Sequence, residues 1–276
     1  MKYIFIIFLL PLISSNAQTA KIMTYNIRLD VASDGVNRWD NRKEILAGQV
    51  KFYEPDFLGV QEALPTQMQY LKTELLNNYQ SIGVGRDDGK DQGEYSAIFY
   101  NNIKYKMLEQ STFWLSETPD IVSLGWDARY KRVCTYGLFE NKATKQKIWV
   151  FNTHFDHISD IARTKSAELI LQKIKELNKL NLPFVLMGDF NLEQDSEPIQ
   201  LITQQLADSK YAAKQVFGPS GTFNAFEFNK PVIKRIDYIF TSKTGLEITK
   251  YAVLSDSIDC RYPSDHLPVY IEIILK

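Results

Sequence analysis

Apolar, β-branched and aromatic runs in this chain stop again and again on a carboxylate, an amide or a histidine. "KIMTYNIRL" (21–29) carries Asn26, "FLGVQEA" (57–63) carries Glu62, and "KIWVFNTHF" (147–155) carries His154. "LPFVLMGDF" (182–190) ends on Asp189 and Phe190 with Asn191 next, "RIDYIFT" (235–241) opens around Asp237, and Asp265-His266 directly precedes "LPVYIEIIL" (267–275). With "YSAIFYN" (95–101) and "VCTYGLFE" (133–140) these are strand candidates, rich in the residues that suit a pleated surface. "RKEILAGQVKFY" (42–53) has helical spacing and is stopped by Pro55. Ser159 is the N-cap candidate of a second helix, whose apolar positions Ile161, Ala162, Leu169, Ile170, Ile174 and Leu177 follow. No repeat, linker or shift of composition divides the chain. One α/β domain with many strands is expected over residues 18–276, and 45% hydrophobic residues suffice for a large core.

Asn and Asp favour turns, so any one of these strand ends alone reads as a turn residue. Taken together, Gln-Glu, Asp-Phe-Asn and Ser-Asp-His at successive strand ends read as a common polar rim on a rigid scaffold, where chemistry usually sits. The chain has only three histidines, at 154, 157 and 266, and all fall beside aspartates in such motifs. Glu and Asp oxygens with an Asn carbonyl are hard ligands, suited to Mg²⁺ or Mn²⁺. Zinc would normally bring cysteines or several histidines at ligand spacing. A hard divalent ion beside histidines suits hydrolysis at phosphorus, with a carboxylate orienting or deprotonating water. Asp189 and Asn191, read as alternate positions of an extended segment, point the same way and hold water and a phosphate oxygen.

The first residues read differently. Met1-Lys2, an apolar run over 4–13 and the small residues before Gln18 form the pattern of a secretory signal peptide, residues 1–17. The run is short for a membrane span and contains Pro11, so no transmembrane segment is expected in the mature chain. Export to the periplasm or the medium is the expected localisation, with the mature protein a monomer. Cys134 and Cys260 remain, either as a pair or as separate small hydrophobes.

In their order along the chain, "TYNIR", "GVQEA", "NTHFDH", "GDFN", "RIDYIF" and "SDHLPV" resemble the motifs of the endonuclease/exonuclease/phosphatase superfamily, the deoxyribonuclease I-like fold. The resemblance covers essentially the whole mature chain. It implies a four-layer α-β-β-α sandwich, two mostly antiparallel sheets flanked by helices, and metal-dependent cleavage of phosphoester bonds. Carried over motif by motif, it makes Glu62 the principal metal ligand, with Asn26 and Asp265 nearby. Asp189 would position or deprotonate water, and Asn191 would hold the scissile phosphate. His266, oriented by Asp237, would stabilise the phosphorane-like transition state. His154 would be the phosphate-binding or leaving-group histidine, where apurinic-site endonucleases carry a tyrosine. Those endonucleases also place an acid two residues beyond the first Asn; Arg28 stands there instead, which argues against that subgroup.

The superfamily spans nucleases, deadenylases, sphingomyelinases and inositol-phosphate phosphatases, so the substrate must come from elsewhere. The stretch 113–136 is similar to that of exported bacterial members near the deadenylase branch. Its Trp126 and Arg132 are candidates for an aromatic wall and a phosphate-binding cation, and equally for core and surface; Arg163 is a further substrate-binding candidate. Lys and Arg number 32 against 33 for Asp and Glu, which offers no bulk field to a polyanion, although nucleic acid remains a possible substrate. The expectation is a divalent-metal-dependent phosphoesterase acting on a phosphodiester or phosphomonoester of a small or single-stranded substrate. The alternatives are an extracellular endonuclease and a non-catalytic exported binding module of the same fold.

Overall fold

The computed structural model of the protein describes residues 19–75 and 77–276, so the expected signal segment over 1–17 lies outside the described residues. In chain order the elements begin β1 (Thr19–Asn26), α1 (Trp39–Tyr53), β2 (Phe57–Ala63), α2 (Pro65–Glu74), β3 (Tyr79–Ile82), β4 (Tyr95–Asn101) and β5 (Tyr105–Trp114). There follow β6 (Val133–Asn141), β7 (Lys147–His154), α3 (Asp160–Leu177), β8 (Phe184–Asp189), α4 (Glu197–Gln205), β9 (Ala207–Asp208) and α5 (Ser209–Ala212). The last are β10 (Gln215–Phe217), β11 (Asp237–Thr241), β12 (Leu246–Val253) and β13 (Val269–Leu275). One sheet has the order β10-β12-β13-β1-β2-β4-β3 and the other β5-β6-β7-β8-β11-β9. Neighbours run antiparallel except β1/β2, β10/β12 and β7/β8, which are parallel.

Three apolar layers hold this arrangement together. Ile22, Phe57 and Ile98 of the first sheet meet Val150, Val185, Met187 and Ile239 of the second. The alternate residues face outward: Met23, Leu58 and Phe99 under Leu46 and Val50 of α1 and Leu71 of α2, and Phe151, Leu186 and Phe240 under Ile170 and Ile174 of α3 and Ile202 of α4. Both faces of each central strand are therefore buried, which is why these strands read as nearly unbroken apolar runs. The result is the expected four-layer sandwich of two mostly antiparallel sheets.

One polar bridge crosses the central layer. Gln61 donates to Asn152 Oδ1 at 2.6 Å and Thr24 Oγ1 at 3.0 Å, while the Asn152 amide donates to the carbonyls of Val60 and Ala97. The Gln of "GVQEA" thus joins the sheets beneath the rim, and only its neighbour Glu62 faces the rim.

Gly188 shows why "GDF" begins with glycine. It pairs with Thr153 across the parallel β7/β8 ladder, with φ 152°, and a Cβ there would lie 2.1 Å from the Thr153 carbonyl oxygen. No side-chain rotation relieves a clash with backbone. Gly188→Ala is expected to destabilise the protein by about 3 kcal/mol through forced strand separation. Urea unfolding checks it, and an unchanged midpoint would show that the strands part cheaply.

Cys134 is buried in β6 and Cys260 is exposed in the loop before β13; they do not pair. Among the described residues, no helix is long and apolar enough to cross a membrane.

Candidate active site

Strand register assembles the centre of the site. In the β7/β8 ladder His154 stands opposite Asp189, and in the β8/β11 ladder Asp189 stands opposite Asp237. Three adjacent strand ends of one sheet therefore deliver three polar side chains side by side. The other sheet contributes Asn26 from the end of β1 and Glu62 from β2. A bulge after Val60 puts Glu62 at φ 62°, and such an irregularity re-aims a side chain out of the pleat. Ser264 Oγ donates to the Asn26 carbonyl at 2.7 Å and pins the loop that carries Asp265 and His266 to the same rim. Buried Arg42 of α1 braces the neighbouring turn by donating to the carbonyls of Ile27 and Arg28. Glu62, His154, Asp189, Asn191, Asp265 and His266 line a cleft of about 570 Å³, with Asn26 and Asp237 buried beneath it.

Asn26 holds the carboxylates in place: its amide nitrogen donates to Glu62 Oε1 at 3.0 Å and Asp189 Oδ2 at 2.9 Å, while its oxygen accepts the Arg28 N–H. The expected extended geometry of "DFN" is not what forms. The strand ends at Asp189, Phe190 turns into the core, and Asn191 adopts a left-handed conformation, φ 52°, that Asn tolerates. Asp189 Oδ1 accepts the Asn191 N–H at 2.9 Å, so a tight turn rather than strand alternation brings the acid and the amide together.

The two site histidines are driven to opposite charge states. Burial works against a charge on His266, but Asp237, whose Oδ2 lies 2.8 Å from Nδ1, and Asp189 outweigh it and push its pKa up to about 10. Burial pushes His154 well below the ordinary imidazole value, and the guanidiniums of Arg132 and Arg86 push it further. Burial and the Asp237 charge raise Asp189 to about 7, against the opposing pull of His266 and Asn26. Burial also pushes Glu62 up, but the Asn26 amide, the His266 charge and the Leu29 N–H outweigh it, leaving it below the usual carboxylate range.

The donor set fits a hard divalent ion. Glu62 and Asp189 present carboxylate oxygens that lie, with a ring nitrogen of His154, within 4.8 Å of one another, whereas His266, kept cationic, has no lone pair for a metal. Asp265 enters through Arg28, whose guanidinium lies 3.9 Å from Glu62 and 3.8 Å from Asp265 and is held by two bonds to Asp34. Where the apurinic-site subgroup has an acid, this rim carries a fixed cation.

Of the three substrate-binding candidates, only Arg132 lines the cleft. Trp126 packs against the apolar layer beneath α3. Arg163, one turn into α3, is drawn to Asp160 of its own helix and to the Asp156 carbonyl. Arg86, Glu94 and Tyr130 line the cleft without having been singled out in the sequence. Glu94 closes the polar stretch "GRDDGKDQGE" (85–94), whose charges look solvated until the loop folds back and Gly85 bridges to Tyr95.

A metal-dependent phosphoric ester hydrolase is the class of protein that this fold and donor set define. The chain belongs to the Endonuclease/Exonuclease/phosphatase family, whose model matches residues 23–266. A solved family member from Bacteroides thetaiotaomicron is 39% identical, with a TM-score of 0.91 over 94% of this chain and 98% of that one. A mannosyl-6-phosphatase from the same species is 40% identical, with a TM-score of 0.89 over 93% of this chain and all of that one (100%). A probable RNA exonuclease of Saccharomyces cerevisiae is 28% identical over 218 residues, 70% of this chain; the match spans only 41% of that relative's length.

Proposed function

We propose that the protein is a Mg²⁺-dependent hydrolase of small phosphoesters, exported to the periplasm or the medium. The observation that carries the phosphoesterase chemistry is Asp189 held between a neutral and a cationic histidine, Oδ2 lying 3.6 Å from His154 Nε2 and 3.8 Å from His266 Nε2. A divalent ion bound by Glu62 and its neighbouring carboxylates would neutralise charge on the phosphoryl oxygens. Asp189, raised toward neutrality, orients water and accepts its proton. His266, kept cationic by Asp237, donates from Nε2 to the oxygens that gain charge. The Asn191 amide nitrogen, 3.0 Å from Nε2 of neutral His154, fixes that ring beside Asp189 at the phosphoryl position. A small substrate is supported by the cleft volume of about 570 Å³, the net charge of −1 and the likeness to a mannosyl-6-phosphatase. Export is supported by the pattern over residues 1–17.

Hydrolysis of p-nitrophenyl phosphate, its bis ester and mannose 6-phosphate, each with Mg²⁺, Mn²⁺ or EDTA, tests this reading beside nicking of plasmid DNA. Turnover of a small ester with Mg²⁺, abolished by EDTA and exceeding plasmid nicking, is the expected result. Efficient plasmid nicking that is lost in His266→Ala would instead make the protein an extracellular endonuclease.

A further inference from the structure

One wall of the cleft carries chemistry that phosphoryl transfer leaves unused. Arg86 grips Glu94 through both guanidinium ends, Nη1 to Oε2 at 2.8 Å and Nη2 to Oε1 at 2.7 Å, which fixes the carboxylate. Its Oε2 also faces Arg132 Nη1 and His154 Nδ1, each at 3.9 Å, too far for a hydrogen bond. The Asn191 amide nitrogen donates to the Phe155 carbonyl at 3.1 Å, which fixes the amide's orientation. His154 Nε2 must then accept from that nitrogen, and the neutral ring carries its proton on Nδ1. Neither that Nδ1 nor Arg132 Nε and Nη1 has a hydrogen-bond partner among the described residues, although Arg132 is only 5% exposed. Buried donors left unpaired are costly and call for a partner.

A partner there must donate to Glu94 and accept from Arg132 or His154. A hydroxyl does both. A phosphate or carboxylate accepts from Arg132 but meets Glu94 as a like charge. The gap adjoins His154, whose other nitrogen faces Asp189, so it lies one imidazole ring from the reacting centre. We infer that Glu94, clamped by Arg86, and Arg132 form a subsite for a hydroxyl of the leaving alcohol. The enzyme therefore selects phosphomonoesters of polyols, sugar phosphates among them. This inference rests on the phosphoesterase reading above.

The test compares mannose 6-phosphate with cyclohexylmethyl phosphate, which matches it in ring size and attachment but has no hydroxyl. A site built to hydrogen-bond a hydroxyl rejects the analogue that lacks it, so wild-type kcat/KM should favour the sugar phosphate by about 100-fold or more. Glu94→Gln and Arg132→Met should each cut that ratio by about tenfold or more. A wild-type ratio near one overturns the inference without any variant having to fold. So does an equal loss on both esters in Glu94→Gln, which would make Glu94 only an orienting partner of His154. Turnover of p-nitrophenyl phosphate with neither ring phosphate hydrolysed removes the subsite and leaves the phosphoesterase reading standing. Inactivity on every phosphoester with Mg²⁺ sinks that reading itself.

Discussion

Glu62→Gln is expected to lower kcat/KM by about 10³-fold, the loss of several kcal/mol of charge stabilisation at the metal centre. The carboxylate is the anionic donor that the fold turns deliberately into the rim: the bulge in β2 re-aims it, and Asn26 and the Leu29 N–H hold its two oxygens. It stays ionised because those hydrogen bonds and the His266 charge outweigh its burial. Gln keeps the shape but removes the charge, so Mg²⁺ affinity measured by calorimetry should fall together with activity. Thermal stability in EDTA should hold, because the side chain packs into no apolar layer and its neighbours Asp189 and Asp265 lose a repelling charge. Full activity in Glu62→Gln, or a wild-type enzyme insensitive to EDTA, would end the assignment.

The second large effect belongs to Asp237 and His266. Asp237 is buried beneath the cleft and touches the site through His266 Nδ1, at 2.8 Å. Each alanine variant should lose about 10²- to 10⁴-fold in kcat, and the double variant little more than the worse single, because the two act as a unit. Removing the Asp237 carboxylate also removes the strongest attraction that keeps His266 charged against its burial. The sign follows: wild-type His266, with a pKa pushed up to about 10, keeps its proton through neutral and mildly alkaline pH. In Asp237→Ala the proton should be lost near or below the ordinary histidine value of about 6.5, so the alkaline limb of the rate profile moves to lower pH. Strictly additive losses, or an alkaline limb that stays in place, would show that the two residues work separately.

The strands whose two faces are both buried could be read directly from the chain. Phe57–Ala63 and Tyr95–Asn101 form with the bounds expected, because an unbroken apolar run lying inside a sandwich has no competing period to obscure it. Strands at or near the sheet edges could not. In β12 the inward residues Leu246 and Ile248 are followed by Tyr251 and Val253, and a bulge between Ile248 and Lys250 breaks the period of two. In β5 the middle of the strand is exposed and polar, and a register shift after Met107 breaks its pattern as well.

The same division runs through the site. Local sequence determined which side chains stand at the strand ends, because each motif carries its polar residue at the point where the apolar run stops. Whether those ends meet depended on pairing between distant strands: His154 with Asp189, and Asp189 with Asp237. Arg86 and Glu94 had no local signal, since charges in a Gly- and Asp-rich loop are ordinarily solvated. Trp126 and Arg163 had a chemically plausible signal, and tertiary packing turned both away, one into an apolar layer and the other to an acid on its own helix. Residue type sets what a side chain can do and is written in the chain. Its burial, its partners and its charge state are set by neighbours far off in sequence, and those exist only once the two sheets have closed over one another.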